Sequence, residues 1–279
     1  MDDSYLYDAA RLIDDAEFLF IGAGAGMGVD SGLPDFRGRE GFWRAYPVFR
    51  KMRYSFEDMA NPAWFHRDPE QAWGFYGHRL NTYRSIHPHA GYGILRKWME
   101  EKAGQGFVFT SNVDGHFQKA GFPDNSIYEC HGSIHWLQSC NDSEGEVWSA
   151  DQVEIEVETE TCRALSPLPT YPGTNELARP NILMFGDYLW NDRRYTEQGG
   201  RLRTWLDSAS RSRGVIIEIG AGKAVPTVRL NCERFAGNLD YPLIRINPQD
   251  ADGPRGVVSL ETGAVAALTR IDEIINSRS

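Results

Sequence analysis

The apolar run at residues 18–21, FLFI, breaks at once into small residues, with glycine at 22, 24, 26 and 28. This break constrains the chain more than any other stretch. A short apolar run bounded by glycines has the length and type of a strand buried on both faces, as in a parallel sheet. The small residues let the backbone turn sharply and approach a ligand closely, so that free N–H groups near a following helix start can hold a phosphate. A dinucleotide site after the first strand is the expectation. It is not the dehydrogenase fingerprint, because neither Gly24, Gly26 and Gly28 nor the offset set from Gly22 spells G-x-G-x-x-G.

Further short apolar runs at 106–110, 126–131, 180–185, 215–219 and 243–246 predict strands. Apolar residues recur at helical spacing over 4–15, 64–84 and 90–102, and Asn61-Pro62 is suited to a helix start. Strands alternating with helices predict an α/β fold, a doubly wound parallel (Rossmann-like) sheet with a smaller inserted domain. Residues 1–41, 88–132 and 180–279 are assigned to the sheet domain. A helical insertion, 42–87, and a polar, Pro-rich segment, 133–179, are assigned to the small domain. Within that segment the acidic run 154–161 is expected to be a solvated edge element without chemistry of its own.

With 279 residues the chain can bury a full core. Its 39 acidic against 29 basic residues leave a net charge of -10, which argues against nucleic-acid partners and mildly favours basic ones such as lysine-rich peptides. Residues 1–17 are acidic and amphipathic, without a basic segment leading an apolar one. The expectation is a soluble, cytoplasmic protein with no signal peptide and no membrane span. The four cysteines form no C-x-x-C pair and read as reduced thiols.

The second half of the glycine stretch narrows the reading. Residues 24–37 run GAGMGVDSGLPDFR. Five further blocks follow: TSNVDGH at 110–116, YECHGS at 128–133, NILMFGD at 181–187, GAG with Val225-Pro226 at 220–226, and INP at 246–248. In content and order, over roughly residues 18–270, these blocks resemble those of the sirtuins, NAD-dependent protein deacylases. The resemblance implies transfer of an acyl group from lysine in a protein or peptide to ADP-ribose, with release of nicotinamide. It places His131 as the catalytic base that takes a proton from a ribose hydroxyl, a task suited to a group titrating near neutrality.

The resemblance also implies that Asn112 orders water and holds ribose and nicotinamide, and that Asp114 accepts the carboxamide N–H. Read from the residues alone, Asn112 and Asp114 fit a capped turn after a strand better than a ligand site. Gly24, Ala25, Gly26, Ser111, Val113, Gly220, Ala221, Gly222 and Asn247 would contact NAD, with Asp35, Phe36 and Arg37 forming a lid over it. Ser111 stands where the family has Gln, Gly28 where it has Ser, and the 220–222 trio lacks hydroxyls. Phe185 and Gly186 would border the acyl-lysine. Tyr76 and Arg79, three apart on a predicted helix, share one face and can jointly hold a carboxylate. With Ala60 upstream they resemble the subgroup that removes succinyl and malonyl groups, although a Tyr and an Arg in one helix are common.

Relatives carry two C-x-x-C pairs as a zinc ribbon. Here Cys140 and Cys162 stand in place, but Ser143 and Leu165 fill the partner positions. The expectation is that structural zinc is lost and that no residue ligates metal. Two other outcomes stay open: ADP-ribosyl transfer or NAD hydrolysis on the same fold, and a non-catalytic NAD or ADP-ribose sensor.

Overall fold

The alternation along the first strand, β1 (Phe18–Ala23), divides the main sheet into two buried faces. Leu19 and Ile21 join one apolar cluster while Phe18 and Phe20 join another, as a side-chain period of two requires. The computed structural model describes residues 3–34, 39–102, 105–210 and 212–278. Along the chain follow β2 (Gly106–Thr110), β3 (Ile127–Glu129), β4 (Gly132–Ser139), β5 (Trp148–Ser149), β6 (Val157–Glu158) and β7 (Arg163–Ala164). Then come β8 (Ala178–Ile182), β9 (Gly214–Ile219), β10 (Leu243–Ile246) and β11 (Val258–Leu260). Six of these form one parallel sheet in the order β11-β10-β9-β1-β2-β3. The doubly wound Rossmann-like sheet expected above is therefore observed, and the strand order reverses between β1 and β9, where such sheets bind ligands.

The helices are α1 (Asp3–Asp15), α2 (Arg39–Ala45), α3 (Pro47–Met52), α4 (Phe56–Met59), α5 (Ala63–Arg67) and α6 (Pro69–Ser85). They continue with α7 (Ala90–Glu101), α8 (His116–Lys119), α9 (Arg193–Ala209), α10 (Thr227–Leu239) and α11 (Ala264–Asn276). Helices α1, α7 and α11 cover one face of the sheet through Leu6, Ile13, Leu95, Trp98 and Ile271. Leu202 of α9 and Val228, Cys232 and Phe235 of α10 cover the other.

A separate aromatic core holds the small lobe, built from α2 to α6 and a second sheet, β5-β4-β8, which is antiparallel. The strand expected at 180–185 forms over Ala178–Ile182, but it pairs with β4 in this second sheet and not with the parallel one. Its apolar content is that of any buried strand, so composition did not tell which sheet it joins.

Helix α6 opens as its sequence dictates, with Pro69 in the first turn and Asp68 Oδ1 accepting the Gln71 N–H at 3.2 Å. Its glycines admit the β6–β7 hairpin. A Cβ at Gly74 would lie 1.9 Å from the Cys162 carbonyl oxygen, and one at Gly77 would lie 2.4 Å from Ile155 Cγ2. The 154–161 run is thus partly a packing element and not only a solvated edge, since Ile155 is buried against α6. Arg163 clamps the same junction with bonds to Asp68 at 2.8 and 2.9 Å, which lower the Asp68 pKa. No helix among the described residues is long and apolar enough to cross a membrane.

Gly220 sits at φ +63, and a Cβ there would lie 2.3 Å from Met27 N and 2.5 Å from Gly26 Cα. Gly173 has φ +75 with nothing within 4 Å of its would-be Cβ. Gly220→Ala should therefore destabilise by about 2–4 kcal/mol, through strain plus a backbone collision, against about 1 kcal/mol for Gly173→Ala. Urea unfolding of the two variants beside the parent checks this; equal losses would show that the loop contact at Gly220 yields easily.

Candidate functional site

Three loops meet at the carboxyl ends of β1, β2 and β9. After β1 the chain enters a short 3-10 helix, Ala25–Ser31, closed by Gly32 at φ 88. Gly26 N donates to Gly220 O at 3.0 Å and Gly24 N to Ile219 O at 2.9 Å. Cβ atoms at Gly24 and Gly26 would stand 2.5 Å from Gly220 O and 2.7 Å from Gly220 Cα. In this structure the first need for glycine is thus the contact between the two loops. The loop after β9 is held in turn by Asn247, whose Nδ2 donates to Ala221 O at 3.1 Å while its Oδ1 accepts from Gln249 N and Asp250 N. Gly222 is half-buried beside Asp250.

The β2 loop is fastened to the β1 loop. Thr110 Oγ1 donates to Ala23 O at 2.9 Å and accepts from Asn112 N at 3.0 Å. Asn112 Nδ2 donates to Gly24 O at 2.8 Å, and Ser111 N donates to Ala23 O at 3.2 Å. Asp114 closes an Asx turn, its Oδ1 accepting the His116 N–H at 2.9 Å. His135 Nε2 donates to the Asp114 carbonyl at 2.9 Å, which seats β4 against this loop. Burial pushes the Asp114 carboxyl up to about 6, opposed by the His116 hydrogen bond and by His135.

One cavity of about 250 Å³ gathers half of the predicted residues. Ala25, Ser111, Asn112, Val113, Asp114 and His131 line one part of it, while Ala60, Tyr76, Arg79 and Phe185 line another. His131 stands in the two-residue link between β3 and β4, after Cys130, and its carbonyl accepts the Leu183 N–H at 3.0 Å. Phe185 is brought across by its own N–H, which donates to Ala60 O at 2.9 Å. Gly186 turns the chain at φ +67 and does not line this cavity, nor do Gly220, Gly222 and Asn247, which stand in the adjoining loops. Asp35, Phe36 and Arg37 lie outside the described residues.

The two residues of the predicted carboxylate clamp differ in their surroundings. Tyr76 is buried, and its Oη has no hydrogen-bond partner among the described residues. Burial raises its pKa, so the phenol keeps its proton. Arg79 is also buried, permanently charged, and ringed by Phe56, Phe75, Tyr76 and Tyr83 at 5.3–5.8 Å from the ring centroids. Tyr83 Oη accepts from Arg79 Nε at 3.2 Å and from Nη2 at 2.9 Å, which fixes the plane of the guanidinium.

Tyr83 also lines the cavity and was not anticipated, although its spacing of four from Arg79 on a helix was a usable signal. A second missed pair is Arg179 with Asp187. Both are buried, joined at 2.7 and 2.8 Å, and Asp187 also accepts from Met184 N and Leu189 N. This pair shapes the 183–189 loop that carries Phe185, and only the fold brings Arg179 of β8 to it.

Comparison with known proteins matches this arrangement. The family model described as Sir2 family matches residues 24–202. The chain is 30% identical over 273 residues to an "NAD-dependent protein deacylase" of Deinococcus radiodurans, covering 94% of this chain and 96% of that one. It is 29% identical over 244 residues to "NAD-dependent protein deacylase 1" of Archaeoglobus fulgidus, covering 86% and 85%. Among solved structures, a Sir2 homologue crystallised with NAD superposes with a TM-score of 0.70 at 23% identity, over 98% of this chain and 95% of that one. The family match spans more than half of the chain and includes the loops that surround His131, and the chain therefore belongs to the Sir2 family.

Proposed function

We propose that this chain is an NAD-dependent protein lysine deacylase whose acyl pocket accepts chains ending in a carboxylate. The observation that carries this reading is the buried Tyr76 Oη, without a hydrogen-bond partner among the described residues, beside Arg79 in the same cavity as His131 and Asn112. An orphaned buried hydroxyl costs about 1–3 kcal/mol, which a bound oxyanion would recover.

Three features support a dinucleotide in the crevice. The strand order reverses there. Glycines at 24, 26 and 220 keep both loops free of side chains at their contact. Ala25 from one loop and Val225 from the other line the cavity of His131. When bound, NAD supplies the ribose that accepts the acyl group as nicotinamide leaves. Ala25, Ser111, Asn112 and Asp114 would hold its reacting end, and the loops at Gly220–222 and Asn247 the remainder. The His131 imidazole takes the hydroxyl proton at a ring nitrogen. Asp114, as the carboxylate, accepts an N–H, while the Arg79 and Tyr76 donors orient the distal end of the acyl chain.

Within this reading the sheet body carries the cofactor and the small lobe carries the acyl pocket, with lysine-bearing peptides as substrates. The ribbon segment is read as zinc-free. Burial pushes the Cys140 and Cys162 thiols up to about 12, away from the thiolate form that zinc requires. Metal analysis of the purified protein should find well under one zinc per chain, and a stoichiometric ion would overturn this part.

Succinyl- and acetyl-lysine peptides, each mixed with NAD and analysed for products, test the central claim. Arg79→Met should reduce the efficiency on the succinyl peptide by about ten- to more than hundredfold, the equivalent of a charge-assisted bond of roughly 1.5–3 kcal/mol. Acetyl turnover should change little, and Tyr76→Phe should produce a smaller loss of the same kind. A succinyl-to-acetyl ratio that stays flat across these variants removes the clamp. If His131→Ala retains more than a few per cent of acyl transfer, the deacylase assignment goes with it.

Asp114 yields a prediction in pH. A carboxyl raised from 3.8 to about 6 holds its proton more tightly folded than unfolded, so the stability it contributes is present below pH ~4 and lost as pH rises through about 6. Asp114→Asn keeps the oxygen that accepts from His116 N and removes the buried charge. It should raise stability at pH 7.5 by up to about 3 kcal/mol, with the gain vanishing near pH 4, while turnover falls. Unfolding curves of both proteins at the two pH values check the sign.

A further inference from the structure

A second cavity, of about 650 Å³, shares the wall residues Tyr83 and Asp114 with the cavity of His131 and otherwise faces different elements. Helix α9 brings Arg193, Arg194 and Arg201 to it, and β4 brings Ser133, His135 and Trp136. Arg194 lies 4.5 Å from the Trp136 ring centroid and gives one nitrogen to Glu129 Oε2 at 2.7 Å. Its other terminal nitrogen, Nη1, is buried with no hydrogen-bond partner among the described residues, and so is Arg201 Nε.

Arg193 and Arg201 make no ion pair among the described residues, in a chain whose acidic residues outnumber its basic ones by ten, 39 against 29. The carboxylates that line this cavity besides Asp114, namely Asp124, Asp151 and Glu197, are exposed, and none comes within ion-pair distance of either arginine. Other cations on the same wall are already used: Arg84 donates to Val153 O and Ala150 O, and Lys119 donates to Arg84 O and Ile86 O. The arginines of α9 are therefore the ones left with unspent donors, beside an aromatic ring and a serine hydroxyl.

We propose that this cavity is a binding site for a small oxyanion, held by Arg194 and Arg201 with Arg193 at the entrance and Trp136 against its body. Guanidinium groups suit this ligand, since they present forked donors that match carboxylate and phosphate oxygens. Buried N–H donors without an acceptor are costly, and an oxyanion is the ligand that satisfies them. The site is separate from the acyl pocket, so its occupant need not be the substrate.

Calorimetric titration of the full chain with sodium phosphate, and separately with succinate, at matched ionic strength tests the assignment and shows which oxyanion is preferred. Binding of either anion is expected in the parent. Arg201→Gln should weaken phosphate binding about ten- to hundredfold and Arg193→Gln less, while Arg79→Met leaves phosphate binding unchanged. Melting curves without anion show that the arginine variants remain folded, and either variant alone is sufficient for the test. The proposal fails if neither anion binds the parent, if Arg201→Gln and Arg193→Gln bind as the parent does, or if Arg79→Met abolishes binding, which would place the anion in the acyl pocket.

Discussion

The contact between the loops that follow β1 and β9 is the constraint on which the site depends. Gly24 and Gly26 meet Gly220 backbone to backbone, at distances where a Cβ on any of the three would collide. Two hydrogen bonds, Gly24 N to Ile219 O and Gly26 N to Gly220 O, fasten the approach. Asn112 ties the β2 loop to Gly24 O, and Asn247 ties the β9 loop to the turn after β10. Four strand ends are in this way held to one another by main-chain and amide bonds. The crevice at the reversal of strand order is fastened on both sides in that way, with small residues at the contact between its loops.

Buried charge does the corresponding work on either side of the crevice. In the small lobe Arg179 and Asp187 form a two-bond pair out of contact with water, and Asp187 also takes two backbone N–H groups of its own loop. In the sheet body Arg245 of β10 pairs with Glu218 of β9 and reaches Glu233 of α10. Such pairs are weak sources of net stability because desolvation opposes them, but each partner alone would be a stranded charge. Their effect is to make one arrangement of loop and strand far better than its alternatives. Arg79 belongs to the same pattern with a different solution, since aromatic faces and a tyrosine hydroxyl surround it and leave it beside a cavity.

The strands of the sheet were legible because short-range chemistry fixes them, while the candidate site residues were named on a family resemblance and half of them line one cavity. Apolar runs ending in glycine or asparagine located β1, β2, β9 and β10, and the same strand ends carry Ala25, Asn112 and Asp114 into one cavity. Tyr76 and Arg79 were legible as a pair because a helix places residues three apart on one face. The partner of the guanidinium, Tyr83, obeys the same geometry and could have been read from it. Ala178–Ile182 was misassigned because a buried strand looks alike in a parallel or an antiparallel sheet. The glycines of the first loop were read for a ligand, and the structure adds a role in loop packing that no local pattern reveals.

By itself the sequence determined the alternating elements, the order of the motif blocks and the residue types available for chemistry, because each depends on neighbours within a few positions. Only the tertiary structure decided that Ala60, Tyr76, Arg79 and Phe185 share a cavity with His131, and that Arg179 meets Asp187. It also decided that α9 leaves arginine donors without partners among the described residues beside Trp136. Apart from the Arg179–Asp187 pair, whose members are eight positions apart, those relations join residues far apart in the chain through sheet order, helix packing and burial, and the energies that select them do not exist until the elements have met.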